Sequence, residues 1–248
     1  MSRSHTTHQF ALFIEQPFID NTIVINDPVL YHRIIRVLKC TVGSTIQLFN
    51  NQYHTQAELF TYSKKECFFR VGTIVQNPIF KPQITLGLPL LKGNDLEEAI
   101  SFATQIGVSA IQLLQTEYVQ RPFKFANEEK RLIRIVIAAT EQSKRFAMPI
   151  IKEPIPFASI KNVYQKDVIL FGTQDGMHIT TLLNQSYIKD ITNSFLFIVG
   201  PEADFSDNEY TLLKEWHAQP ICLSPAVLRS CTAAGMGVGL LRALTSCL

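Results

Sequence analysis

The sequence predicts an α/β protein in two parts: a small β-barrel or curled sheet over residues 1–77, and a larger domain with a mainly parallel sheet over 78–248. Three observations predict it. Short alternating apolar and polar runs fill the first part, as expected of strands with one solvated face. Asn77-Pro78 and Lys81-Pro82 punctuate the chain, and beyond them strand-like and helix-like segments alternate, the order that gives parallel sheets covered by helices. Finally, the run Phe195-Leu-Phe-Ile-Val199 is wholly apolar and rich in aromatic and branched residues, which suits a strand covered on both faces.

In chain order, the first helix signal is Asp27-Pro28, an N-cap residue followed by proline in the first turn. Tyr31, Ile34, Ile35 and Leu38 recur at helical spacing and should face a core, which leaves His32, Arg33, Arg36 and Lys39 on the other side. Such a basic face is either ordinary solvated surface or a contact for phosphates. The alternating runs 45–49, 53–59 and 67–75 follow, separated by polar turns.

In the second part, 84–89, 110–114 and 168–171 read as strands, and 96–106 and 128–143 as helices. Leu96, Ala99, Ile100 and Ala103 share one face of the first helix, with Asn94 and Glu97 as a possible capping pair. Leu132, Ile135, Val136 and Ala139 do the same in the second. Glu141, Gln142 and Arg145 sit where that helix ends, placed either to tie it to neighbouring loops or to touch RNA. The strand at 195–199 stops at Gly200-Pro201-Glu202, and Ser206 and Glu209 then supply the capping box of a helix with Leu212, Leu213 and Trp216 toward the core. In an open α/β sheet, ligands bind beyond the carboxyl ends of strands, where backbone groups lack partners. A second strand and loop at 220–234 lies just downstream, so two loops are available to one ligand.

Gly235, Gly237 and Gly239 fall within the terminal helix, where each costs roughly 1 kcal/mol relative to alanine. Their spacing is not the G-x-G-x-x-G of a dinucleotide site. Close backbone packing is the better account.

Composition sets the class. Hydrophobic residues make up 46% and charged residues 18%, which argues against a disordered chain and agrees with a compact cytoplasmic enzyme. A net charge of +2 does not announce nucleic-acid binding, so any RNA site must be local. No apolar run approaches the ~20 residues of a membrane span, and the opening Met1–Gln9 lacks the basic and apolar regions of a secretory signal. No membrane partner is therefore expected, and five cysteines without a C-x-x-C pair indicate neither a disulfide framework nor a zinc knuckle, so no metal is expected either.

The loop Gly200-Pro201-Glu202-Ala203-Asp204-Phe205-Ser206 with Glu209, and the later Leu223-Ser224-Pro225-Ala226-Val227-Leu228-Arg229-Ser230-Cys231-Thr232-Ala233, resemble two loops of the RsmE family of SPOUT-class RNA methyltransferases. That family methylates N3 of a uridine in small-subunit ribosomal RNA. The resemblance extends along the chain: His32 to Lys39 with Gly43 and Leu48-Phe49-Asn50, Lys92-Gly93 with Glu97, Gly107-Val108, and Glu141-Gln142-Ser143-Lys144-Arg145 with Pro149 all match its blocks.

The resemblance implies an N-terminal PUA-like RNA-binding β-barrel and a C-terminal SPOUT α/β domain whose last segment forms a trefoil knot, an exception to the rule against knots. It implies S-adenosyl-L-methionine as cofactor, held by main-chain groups around Leu170, Phe171, Val199, Gly200, Pro201, Glu202, Leu223, Ser224, Pro225, Val227 and Leu228. Arg229 would stabilise charge on the base and Glu202 would orient it or accept its proton. Arg33, Arg36, Lys39 and Arg145 would contact the RNA partner, small-subunit ribosomal RNA in an assembled particle, and the chain would form a homodimer. The family pattern is altered at several positions: Ala203 and Asp204 replace two glycines, Ala226 an arginine and Cys231 a glutamate, and charges are lost at Phe102, Gln105 and Tyr118. These changes raise the alternative of a catalytically weak or inactive RNA-binding relative. The loop architecture alone also admits an unrelated α/β enzyme acting on a small molecule.

Overall fold

The computed structural model describes residues 10–119, 122–190 and 192–246, so the opening Met1–Gln9 lies outside the described residues. The chain divides into two compact units. One ends at Pro78 and also takes in Lys144–Ala147, and the other comprises Ile79–Ser143 and the chain from Met148 onward.

The first unit holds strands β1 (Ala11–Phe13), β2 (Thr22–Ile25), β3 (Thr45–Phe49), β4 (Tyr53–Tyr62), β5 (Cys67–Val71) and β6 (Val75–Gln76). They form a sheet in the order β1-β3-β4-β5-β2, with β6 on β4. β1 runs parallel to β3 and the other pairings are antiparallel. Alternation sets the faces: Ile46, Leu48, Ala57, Leu59, Cys67 and Phe69 point into one core, joined by Leu12, Ile23 and Ile25. The run read at 67–75 is two strands, because the ladder to β4 breaks over 72–74 between β5 and β6. β1 and β2 carried no sequence signal of their own.

Helix α1 (Pro28–His32) starts as predicted, with the Asp27 carboxylate accepting the Leu30 N–H at 2.8 Å. It continues as a π-helical turn over Arg33–Val37. Ile34 is fully buried, and Tyr31, Ile35 and Leu38 pack against the same core. Arg36 and Lys39 are exposed and Arg33 is half-buried.

The second unit holds strands β7 (Gln83–Pro89), β8 (Ala110–Gln115), β9 (Ile150–Pro156), β10 (Val168–Met177), β11 (Ser194–Ile198) and β12 (Gln219–Ile221). They form one parallel sheet in the order β12-β10-β11-β7-β8-β9. Its helices are α2 (Asp95–Ile106), α3 (Phe125–Ser143), the short α4 (Ile160–Val163), α5 (Ile179–Leu182) and α6 (Ser186–Lys189), then α7 (Asp207–Glu215) and α8 (Ser230–Ser246). β11 is covered on both faces, as its composition predicts: Phe195 and Phe197 enter one core with α2 and α8, while Leu196 and Ile198 enter a second with Phe205 and Leu213. Each such side chain contributes roughly 1.5–3 kcal/mol when fully buried.

The capping pair expected at Asn94 and Glu97 does not form. Asn94 has helical backbone angles, φ −82° and ψ −11°, and its side chain caps nothing, whereas an N-cap needs extended backbone to aim its side chain at the first N–H groups. Glu97 instead pairs with Arg131 of α3. In α8 the glycines do allow close approach. A Cβ on Gly237 would lie 2.0 Å from Cε1 of Phe197, and one on Gly235 would lie 3.2 Å from Cβ of Phe102. Further along α8, the buried Arg242 donates to the carbonyls of Pro82 at 3.0 Å and Gly107 at 2.8 Å.

Candidate active site

In the second unit the carboxyl ends of β11 and β12 lie level across β10, which itself runs on to Met177. Phe171 of β10 is the register partner of Ile198 on β11 and of Pro220 on β12, so the loops leaving β11 and β12 emerge side by side with β10 between them. Gly176, late in β10, lies so close to β12 that a Cβ there would be 2.4 Å from the carbonyl carbon of Ile221. β7 flanks β11 on its other side, and the Val199 N–H donates to the Gly87 carbonyl at 3.2 Å.

Three loops then hold one another. Glu202, after β11, accepts the Lys92 N–H from the loop after β7 at 3.0 Å through Oε1. Arg229, after β12, forms an ion pair with Asp95 at the start of α2. Ser230, the first residue of α8, donates its hydroxyl to the Gly200 carbonyl at 2.7 Å. Neither Lys92, Asp95 nor Ser230 was legible as a site residue, because each acts on a partner more than 25 positions away through a single short contact.

The β11 loop is set by its own chemistry. Asp204 adopts a left-handed φ of +64°, which Asp tolerates better than most residues. Its carboxylate accepts the Phe205 N–H at 2.8 Å and the Tyr210 hydroxyl at 3.0 Å. Burial, with Asp204 second, pushes the Tyr210 hydroxyl above its ordinary pKa. Phe205 packs among Phe157, Phe171 and Tyr210. The capping box forms as read: the Ser206 hydroxyl accepts the Glu209 N–H at 3.1 Å, and Glu209 Oε2 accepts the Ser206 N–H at 2.9 Å. Glu209, 1% exposed, also accepts the Glu117 N–H at 3.0 Å.

The sequence-predicted cofactor residues gather at this edge. Leu170, Phe171, Val199 and Pro201 are buried beneath it, Gly200, Leu223, Ser224 and Leu228 are half-buried, and Glu202, Pro225 and Val227 are exposed. Arg229 lies on the same rim with its side chain 67% exposed. Cys231, at the family's glutamate position, is buried and lies 3.6 Å from Oε2 of Glu98. The arrangement offers main-chain groups and apolar surface on one side, and a carboxylate and a guanidinium on the other.

The basic residues predicted for RNA belong to the first unit. Arg33, Arg36 and Lys39 follow α1, and Lys39 takes a left-handed φ of +53°. Arg145 falls in the short segment that clusters with the first unit, between Lys144 and Phe146, both of positive φ. Burial lowers the pKa of its guanidinium.

A family model described as RNA methyltransferase domain matches residues 79–242. The ribosomal RNA small subunit methyltransferase E of Rickettsia conorii is 31% identical over 220 residues, covering 87% of this chain and 87% of the relative. That of Buchnera aphidicola is 26% identical over 223 residues, covering 86% and 85%. The crystal structure of a ribosomal RNA small subunit methyltransferase E from Neisseria gonorrhoeae bound to S-adenosyl methionine matches with a TM-score of 0.81 at 20% identity, over 96% of this chain and 98% of that one. At that identity the likeness is one of fold.

Proposed function

The chain belongs to the ribosomal RNA small subunit methyltransferase E family, and from that premise we propose that it transfers a methyl group from S-adenosyl-L-methionine to N3 of a uridine in small-subunit ribosomal RNA. The observation that carries this reading is the mutual bracing of the loops after β7, β11 and β12 at one edge of the sheet. That edge is where parallel sheets bind their ligands.

The residue set suits the cofactor. Leu223, Val227 and Leu228 offer apolar surface for the faces of an adenine, and the backbone of 199–202 and 223–228 offers donors and acceptors for its edge. Leu170 and Phe171 form the floor. The bound cofactor supplies an electrophilic methyl group on a sulfonium. Neutral uracil carries a proton at N3, so the protein must let that proton leave while it aligns the nitrogen. Arg229 stabilises negative charge on the uracil oxygens. Glu202, aimed by its hydrogen bond from Lys92, orients the base or takes the N3 proton.

Retained activity is a better reading than a catalytically weak relative, because two of the altered positions are accommodated. Asp204 takes up the left-handed geometry in place of a glycine, and Cys231 finds a carboxylate partner in Glu98.

The finer architecture is part of the same reading. The first unit is a PUA-like barrel, a reading supported by its six-stranded, mainly antiparallel sheet and the α1 segment packed on its core. The terminal segment forms a trefoil knot at the cofactor, supported by the packing of α8 on α2 and β11 through its glycines. A homodimer is supported by the exposed Phe102 of α2 and Met236 of α8, 44% and 45% accessible, on helices that pack together. Arg33, Arg36, Lys39 and Arg145 contact RNA in an assembled small ribosomal particle in the cytoplasm.

Calorimetric titration of the full chain with S-adenosyl-L-methionine tests the site. Saturable one-to-one binding is expected. Absence of binding by the folded protein would favour a relative that has lost catalysis.

A further inference from the structure

The outer face of the first unit's sheet carries three cross-strand rungs of different chemistry. Glu58 of β4 is the register partner of Arg70 on β5, with which it forms an ion pair at 3.7 Å. Gln47 of β3 is the register partner of Gln56 on β4. Phe49 is the register partner of His54, and the His54 ring stacks on Phe146 with centroids 4.4 Å apart at 17°. The chain after β5 stays alongside β4: the Gly72 N–H donates to the Gln56 carbonyl at 3.0 Å, one rung past the Ala57–Val71 pair, and a Cβ on Gly72 would lie 2.7 Å from that oxygen. Only a residue without a side chain permits this approach. Against these rungs lies a polar cavity of about 540 Å³, lined by Gln47, Gln56, His54 and Arg70 among others.

We infer that this cavity binds a single unstacked nucleobase of the RNA substrate, at a site separate from the α1 basic face and from the methyl-transfer site. This rests on the reading of the chain as an RNA methyltransferase, which supplies the polymer. The chemistry of the pocket selects the base rather than the phosphate. Two side-chain amides present donors and acceptors together, the match for a base edge. A histidine ring braced by a second aromatic gives a flat surface for stacking. The one guanidinium stands beside a carboxylate, so the pocket carries little net charge for an anion. The cavity is large enough for one nucleoside, within the range of small-molecule sites, and too small for a duplex.

Fluorescence anisotropy of the full chain with a labelled single-stranded RNA decamer, and with the same decamer annealed to its complement, tests the inference. Gln47→Ala with Gln56→Ala should weaken single-strand binding about fivefold or more, leave duplex binding within about twofold, and leave S-adenosyl-L-methionine affinity unchanged by calorimetry. Gln56→Glu, at an exposed position that does not threaten folding, should weaken single-strand binding likewise. Unchanged single-strand affinity in both variants, or equal loss for single strand and duplex, overturns the base pocket. If the wild type methylates small ribosomal subunits while both variants bind as it does, the pocket fails and the proposed function stands. If the wild type binds neither RNA nor methylates the particle, both fall.

Discussion

Arg229, in the loop that enters α8, pairs its guanidinium with Asp95 at the start of α2, across 134 positions of sequence. The arginine side chain is 67% exposed and the aspartate 15%. An ion pair this open to water contributes only about 0–1 kcal/mol to stability, so it serves chiefly to place the guanidinium at the rim.

Arg229→Ala should therefore lower turnover about 100-fold or more, by loss of charge stabilisation, while chemical denaturation shifts by no more than about 1 kcal/mol. Asp95→Asn should keep the fold and lose less turnover, because it removes only the positioning. Steady-state kinetics beside urea denaturation separate these outcomes. Full turnover in Arg229→Ala would remove the residue from the mechanism.

Gly237 and Gly239 should respond in opposite ways to the same substitution. A Cβ on Gly237 would collide with Phe197 at 2.0 Å, whereas one on Gly239 would sit 3.7 Å from Ile106, an ordinary contact. Gly237→Ala should destabilise by about 1–3 kcal/mol or more through overpacking. Gly239→Ala should be neutral or stabilising by up to about 1 kcal/mol, from helix propensity. Equal midpoints for both variants would contradict the packing described.

Ser206→Ala should cost about 1 kcal/mol through loss of the cap on α7. Glu209→Ala should cost more, roughly 2–3 kcal/mol, because it strips the acceptor from both the Ser206 and the Glu117 N–H groups in a buried setting. Thermal denaturation of the two single variants orders them, and the reverse order would show that the Glu117 contact is dispensable.

The Cys67 thiol is pushed up to about 11 from its ordinary 9.0 by burial, with Cys40 adding to it. The folded state thus keeps the neutral thiol while the unfolded chain ionises it near pH 9. Stability from this group is complete below about pH 9 and lost as pH rises through about 11. Cys67→Ala should flatten the fall of stability across that window in urea titrations, and an unchanged slope would assign the fall to other groups.

Reversing Arg33 and Arg36 to glutamate should weaken RNA binding, with the loss shrinking as salt rises, and leave cofactor affinity unchanged. Equal RNA affinity would return that face to ordinary solvation.

Much of the second unit was legible because its elements are long and periodic. β11, α2, α3 and the Ser206–Glu209 capping box lie where composition and spacing put them. β9 was not, because it is an edge strand carrying Lys152, Glu153, Pro154 and Pro156, and its half-buried pattern lacks clean alternation. β1 has only three residues and pairs with β3, more than thirty positions on, so its strand character comes from its partner. The π-helical turn after α1 was equally hidden, since the apolar spacing from Tyr31 to Leu38 fits either helix. At the site, the loops could be read from their Gly-Pro and capping signals. The bracing by Lys92, Asp95 and Ser230 could not, because hydrogen bonds across distant loops leave no periodic trace.

The central claim is methyl transfer to uridine N3. Its most direct test is incubation of the full chain with methyl-labelled S-adenosyl-L-methionine and small ribosomal subunits lacking the modification, followed by nucleoside mass spectrometry of the RNA. The account predicts labelled 3-methyluridine, reduced about 100-fold or more in Arg229→Ala. Label at another nucleoside, or none from a folded protein that binds the cofactor, would contradict it.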